Sequence, residues 1–158
     1  MQLIERLLLL PPAFLAWTAL AYAIHRLAHW PVAWNRLHQW HQAHHHPLYF
    51  QRDPCLRWHH FLLCFGSWAE TLDIWFTLTL PALLITALLP DLGVLLLLIH
   101  YVYEIFFSDQ RLDHNPSITG SITHFFAWGR YHLFHHRLPS ANFGLIITLW
   151  DHVFATAR

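Results

Sequence analysis

Sixteen of the 158 residues are histidine, and their spacing is not random. "HRLAH" places His25 and His29 four residues apart. "HQAHH" contributes His41, His44 and His45, and "HLFHH" contributes His132, His135 and His136. On a helix, positions i, i+3 and i+4 share one face, so each H-x-x-H-H is a compact nitrogen claw. At this histidine frequency a given start matches the pattern about once in a thousand by chance, so two copies call for an explanation. Neutral imidazole is a common metal ligand. A looser group, His100 in an apolar stretch and His114 in "LDHNP", could add to the set. Together these histidines offer roughly nine or ten nitrogens, where one tetrahedral zinc needs about four. The count suits two metals of six-coordinate type, each keeping an open position. The ligand type alone leaves iron, zinc, copper and nickel open.

Other histidines read differently. His38 and His46 flank the second claw and read as solvent- or headgroup-facing. His59 and His60 follow Trp58 and read as interfacial. His124 could substitute for a third-group ligand, and His152 suits packing or a hydrogen bond. A lone histidine in an apolar stretch is ordinarily a hydrogen-bonded core residue, which is the rival reading of His100. A ligating imidazole usually gives its second N–H to a carboxylate or carbonyl. Glu70, Asp73, Asp113 and Asp151 are the candidate acceptors, with Glu70 in "SWAETLD" the first choice.

The elements that must position these groups are apolar. The chain is 56% hydrophobic and 11% charged, against about 25% charged for a typical soluble domain. The pattern predicts an all-α integral membrane protein, one domain over residues 1–158. Three spans are expected: about 3–24, then 72–89 and 92–107 as a helical hairpin. The polar regions 25–70 and 108–158 would form a helical cap over the dimetal site. Pro11-Pro12 should kink or interrupt the first helix, and Pro90-Asp91-Leu92-Gly93 reads as a tight turn. A signal peptide ending at Ala21-Tyr22-Ala23 is the competing reading of the start. Against it, Glu5 cancels Arg6 and the prolines break the apolar run. All nine basic residues are arginine. With this topology all but Arg6 lie on one side, which marks that side, and the histidines with it, as cytoplasmic. The zero formal charge argues against a nucleic-acid partner. Cys55 and Cys64 form no metal motif and read as free thiols.

The order "HRLAH", "HQAHH", "HLFHH", followed by "NFG" and "LWDHVFAT", resembles the fatty acid hydroxylase/sterol desaturase superfamily of membrane di-iron oxygenases, over almost the whole chain. The closing "NFGLIITLWDHVFAT" makes the resemblance much more specific than the histidine boxes alone. It implies that His25, His29, His41, His44, His45, His132, His135 and His136 are ligands to two iron ions. His114 and His100 are the candidates for the third box. Glu104, in "HYVYE", stands where one branch of the superfamily has a second histidine, so it either binds metal or accepts a hydrogen bond from a ligand. Ala155 replaces the usual glycine of the last motif.

The resemblance further implies reduction of O2 and hydroxylation or desaturation of a membrane lipid. No haem, flavin, nicotinamide or iron–sulfur motif is present, so electrons must come from a separate reductase, ferredoxin or cytochrome type of protein docking near the arginine-rich cap. Three spans leave lateral gaps, which makes a homo-oligomer an expectation. The alternatives are a carotenoid hydroxylase and a non-redox membrane metal-binding protein. The H-x-x-x-H first box and "LWDHVFAT" stand against the carotenoid reading.

Overall fold

The computed structural model describes residues 3–46 and 55–158. Arg52 and the side chains of Glu5 and Arg6, which entered the orientation argument, lie outside the described residues. Seven α-helices order these residues: α1 (Leu3–Ala28), α2 (Arg36–His44), α3 (Trp68–Ile74), α4 (Leu80–Leu88), α5 (Pro90–Phe106), α6 (Arg130–Arg137) and α7 (Leu149–Val153). Among the described residues there is no strand, only an isolated antiparallel bridge between Phe126 and Ile147.

Two helical segments, Leu8–Ala28 and Trp68–Leu88, are long and apolar enough to cross a membrane. Only 33% and 44% of their apolar windows is buried inside the protein. A core helix of a soluble domain would be mostly enclosed, so these surfaces ask for an apolar solvent. Leu83, Leu84, Leu88, Val94, Leu95 and Leu98 are exposed in the same way along α4 and α5. α5 is apolar but, at 17 residues, shorter than these two.

The structure corrects two local expectations. The interruption does not occur: α1 runs on through Pro11-Pro12, both of which are exposed. Pro90–Gly93 is not a free tight turn. Pro90 is the first residue of α5, where its missing N–H costs nothing, and the break is confined to Leu89, with φ −135° and ψ 72°. Gly93 allows the hairpin to close this tightly: a Cβ there would stand 2.1 Å from Thr86 Cα.

The core joins α1 to the hairpin through Trp17, Ala21, Leu78, Ala82, Ile85 and Leu96. Trp17 is buried and its indole N–H donates to Leu78 O at 3.0 Å. Leu78 lies in a π-helical turn, Trp75–Thr79, between α3 and α4. One extra residue in a turn rotates the faces before and after it by roughly 100°, so the polar face of α3 points toward the histidines while α4 keeps its apolar packing.

The cap is tied down by polar contacts. Buried Asn35 donates to Leu27 O (2.8 Å) and Trp30 O (2.9 Å). Its Oδ1 accepts His38 N–H at the start of α2. The end of α1 and the start of α2 are thereby locked, with the histidines of both helices on converging faces. Buried Asp151 does the same for the C-terminal loop: its carboxylate accepts the N–H groups of Phe143 and Gly144, both at 2.7 Å, and the Thr156 hydroxyl at 2.7 Å. A Cβ on Gly144 would lie 2.7 Å from Asp151 Oδ2 and 2.5 Å from Ile147 O. The "NFG" and "WD" motifs are therefore two halves of one loop clamp.

Ala155 has φ +54°, a left-handed conformation that strains a residue bearing a Cβ. It returns the chain so that Thr156 N–H meets Asp151 O at 2.8 Å. Ala155→Gly should relieve that strain, stabilise the protein by about 1 kcal/mol and raise the melting temperature by about 2–4 °C in detergent, read by differential scanning fluorimetry. An unchanged or lower melting temperature would contradict the strain.

Candidate metal centre

Nine histidines converge as two groups. His25, His29, His41, His45 and His135 form one, and His44, His114, His132 and His136 the other. Within each group the ligand atoms lie within 4.8 Å of one another. The claws are therefore not single-metal claws. In each, the residues at i and i+4 serve one group and the residue at i+3 serves the other: His41 and His45 against His44, His132 and His136 against His135. A 100° turn per residue splays i+3 and i+4 to opposite sides of the i position, so one short helix can face two centres. The groups adjoin, with the His45 and His136 rings stacked 4.2 Å apart between centroids.

The nitrogens face one another closely. In the first group the Nε2–Nε2 distances are 2.9 Å for His29–His41, 3.0 Å for His41–His45, 3.1 Å for His25–His41 and 3.3 Å for His25–His29. In the second they are 3.0 Å for His114–His136, 3.2 Å for His132–His136 and 3.4 Å for His44–His132. Metal–imidazole bonds of about 2.05 Å place neighbouring nitrogens roughly 2.9 Å apart at right angles and roughly 3.3 Å apart at tetrahedral angles. The observed edges span that range.

The tautomers make the same point. His25 Nδ1 donates to Phe143 O at 2.6 Å, His135 Nδ1 donates to Ala141 O at 2.7 Å, and His41 Nδ1 donates to both oxygens of Asp73 at 2.9 and 3.0 Å. Carbonyls and carboxylates only accept, so Nδ1 carries the proton and Nε2 presents a lone pair. All three rings are buried, and His135 Nε2 has no hydrogen-bond partner within the protein. Lone pairs aimed at one another in a buried space are reconciled by a cation among them. The donor set therefore fits a metal at each group.

Burial and neighbouring imidazoles keep the rings neutral. Burial pushes His44 and His132 well below the ordinary imidazole range, with His136 and His114, respectively, adding the largest repulsion. Burial and His41 lower His45 to about 2, and burial lowers His135 to about 3 against the opposing bond to Ala141 O. Neutral imidazole is the form that binds metal.

The remaining sequence candidates fall elsewhere. His100 belongs to neither group. Its Nε2 meets Thr79 Oγ1 at 2.8 Å, its ring packs edge-on to Trp17 at 5.8 Å, and Glu104 Oε1 lies 3.9 Å from its Nδ1. The hydrogen-bonded core reading describes it, because α5 carries it into the hairpin core, away from the cap. Glu104, also outside both groups, accepts the Ser108 hydroxyl at 3.0 Å. Glu70 closes a capping box on α3, accepting Ser67 N–H at 2.8 Å. Asp73, one turn further on, takes the imidazole instead. The S-x-x-E spacing at 67–70 was the available signal for the capping role. Asp113 accepts the Tyr103 hydroxyl and Asp109 N–H; Asp109, which sequence reasoning missed, lies 3.2 Å from His114 Nδ1. Asp151 acts through the loop clamp, which presents Phe143 O to His25. His38 is half-buried and its Nδ1 donates to Ala28 O at 2.9 Å, so it caps α1 rather than facing solvent. His124 and His152 are exposed, outside both groups. The acceptors for His25 and His135 are backbone carbonyls, for which a sequence carries no sign.

A cleft of 410 Å³ opens beside the two groups, reaching His25, His41, His44, His114 and His132. Its other walls include Ile74, Leu78, Ile105 and Phe106 from the hairpin. Acids and arginines gather toward the loop side, Asp109 and Arg111 among them.

A family model for fatty acid hydroxylases matches residues 10–156. Neither the search of curated proteins nor that of solved structures returned a match.

Two predictions follow the geometry. Asp73→Ala removes the acceptor that fixes the His41 tautomer and should weaken metal binding roughly 10–100-fold, measured by chelator competition; unchanged affinity would remove Asp73 from the site. In metal-free protein, His45 and His135 take up protons on unfolding below their ordinary value of 6.5 but stay neutral when folded until about pH 2–3. Stability is therefore full above pH 6.5 and falls as the pH drops from there toward 3. Thermal melts at pH 7.5 and 5 should show the loss.

Proposed function

The chain belongs to the fatty acid hydroxylase family, and on that premise we propose that it is a membrane di-iron oxygenase that hydroxylates or desaturates a lipid. The observation that carries the reading is the pair of adjoining imidazole groups opening on one partly apolar cleft. His25, His29, His41, His45 and His135 would hold one iron, and His44, His114, His132 and His136 the other. Bound there, the two ions supply the reduction of O2 and the attack on an unactivated C–H bond.

The protein's own residues do the rest. Asp73 and the carbonyls of Phe143 and Ala141 keep each Nδ1 protonated, so that Nε2 stays available. Ile74, Leu78, Ile105 and Phe106 give an acyl or sterol-like chain an apolar wall to lie against and keep water from it. For hydroxylation the overall balance is RH + O2 + 2 e⁻ + 2 H⁺ → ROH + H2O. The chain carries no redox motif of its own beyond these histidines, so the electrons arrive from a separate carrier protein. With α5 as the third span, the arginine distribution puts the histidines on the cytoplasmic side. A lipid then enters laterally from the bilayer. A second copy could close the gaps around three helices.

The test is metal content by elemental analysis of detergent-purified protein grown with ample iron, beside a His135→Ala, His136→Ala double variant. The two substitutions together remove one ligand from each group. About two irons per chain, lost in the double variant together with O2-dependent lipid oxidation, is the expected result. One zinc per chain, or metal that survives the double substitution, would overturn the di-iron reading in favour of a non-redox metal protein.

A further inference from the structure

Resting on that reading, we propose that the shallow depression around His29 is the docking site of a small acidic one-electron carrier protein. The depression is lined by Arg26, His29, Trp30, His38, Pro139 and Phe143, among others, and shares no lining residue with the cleft beside the metal groups. A lipid in the cleft therefore leaves it open. His29 is the one residue of the two nitrogen groups on its wall. It is half-buried, and its Nε2 lies 2.9 Å from that of His41 and 3.3 Å from that of His25. A single imidazole thus reaches from the protein surface to the first nitrogen group. Phe143 connects the two faces again: its carbonyl holds His25 and its ring lies 5.8 Å under the Arg26 guanidinium.

Charge selects the partner. No carboxylate lines the depression. Of the described acids, Glu70, Asp73, Glu104 and Asp151 are buried, Asp109 and Asp113 line the cleft, and Asp91 lies at the hairpin turn. Arg26, on the wall of the depression, is exposed. An exposed arginine beside a shallow aromatic floor with no carboxylate suits an acidic partner held weakly, as small transient electron-transfer contacts are. Each encounter transfers one electron and leaves the carrier oxidised by one. Two encounters supply the two electrons of a turnover, and the protons come from water.

The probe is a plant-type [2Fe–2S] ferredoxin, titrated calorimetrically against full-length, iron-loaded protein in detergent. Binding at about 20 mM salt should weaken roughly tenfold at about 200 mM, as expected for screened charges. Arg26→Glu should weaken it roughly tenfold at low salt. Ser140→Glu, which adds a carboxylate to the same rim and leaves Arg26 in place, should act in the same direction. Arg111→Glu, on the cleft side, should change binding less than about twofold. Absence of ferredoxin binding at low salt, equal binding by wild type and both rim variants, or an equal loss in Arg111→Glu would each overturn the proposal. Iron content and lipid oxidation driven by a chemical reductant are measured on the same samples. Protein that holds iron and oxidises lipid while the rim variants bind normally defeats the docking site alone; protein without iron defeats the di-iron reading.

Discussion

Nine imidazole nitrogens aimed at one another are an electrostatic burden that the rest of the chain is built to hold. Lone pairs 2.9–3.4 Å apart repel, and no proton is available between His25, His41 and His135, because each has committed its N–H to an outward acceptor. Burial removes the escape of protonation. A cation at each group would relieve that repulsion, and the scaffold shows what holds the rings in place: Asn35 locking α1 to α2, Asp73 on α3, and the clamp around Asp151. Metal binding and folding are coupled in such a site.

Each of these supports acts at a distance from the chemistry. Asp151 touches Phe143 and Gly144 N–H, and only through Phe143 O does it reach His25. The π turn at Trp75–Thr79 lets one continuous segment present Asp73 to His41 and Leu78 O to Trp17. An ordinary α-helical register would serve one of those contacts and misplace the other. The apolar hairpin thus positions the metal centre as much as the histidine-bearing helices do.

The division of each H-x-x-H-H between two centres has a chemical consequence. Neither centre can be assembled from one segment: the first takes residues from α1, α2 and α6, the second from α2, α6 and the loop carrying His114. Loss of α2 or α6 empties part of both, and loss of α1 empties part of the first. This explains why a chain with few polar side chains spends so many of them on tying helix ends together.

The sequence by itself determined the all-helical apolar character, the identity of eight histidines in the boxes and the membership in a lipid-oxidising family. The first two rest on composition and on 3- and 4-residue spacings, which helix geometry converts directly into shared faces; the third rests on the resemblance carried by the order of the boxes and the closing "NFGLIITLWDHVFAT". His114 was readable as a candidate, but its choice over His100 was not. Both are single histidines, and what separates them is that α5 carries His100 into the hairpin while the following loop turns His114 back onto α6. Tertiary structure alone decided that choice, the splitting of the claws, the selection of Asp73 over Glu70, and the use of the Phe143 and Ala141 carbonyls. Spacing along a chain records which residues share a helix face; it holds no record of which face meets which across space, nor of backbone groups that every residue carries alike.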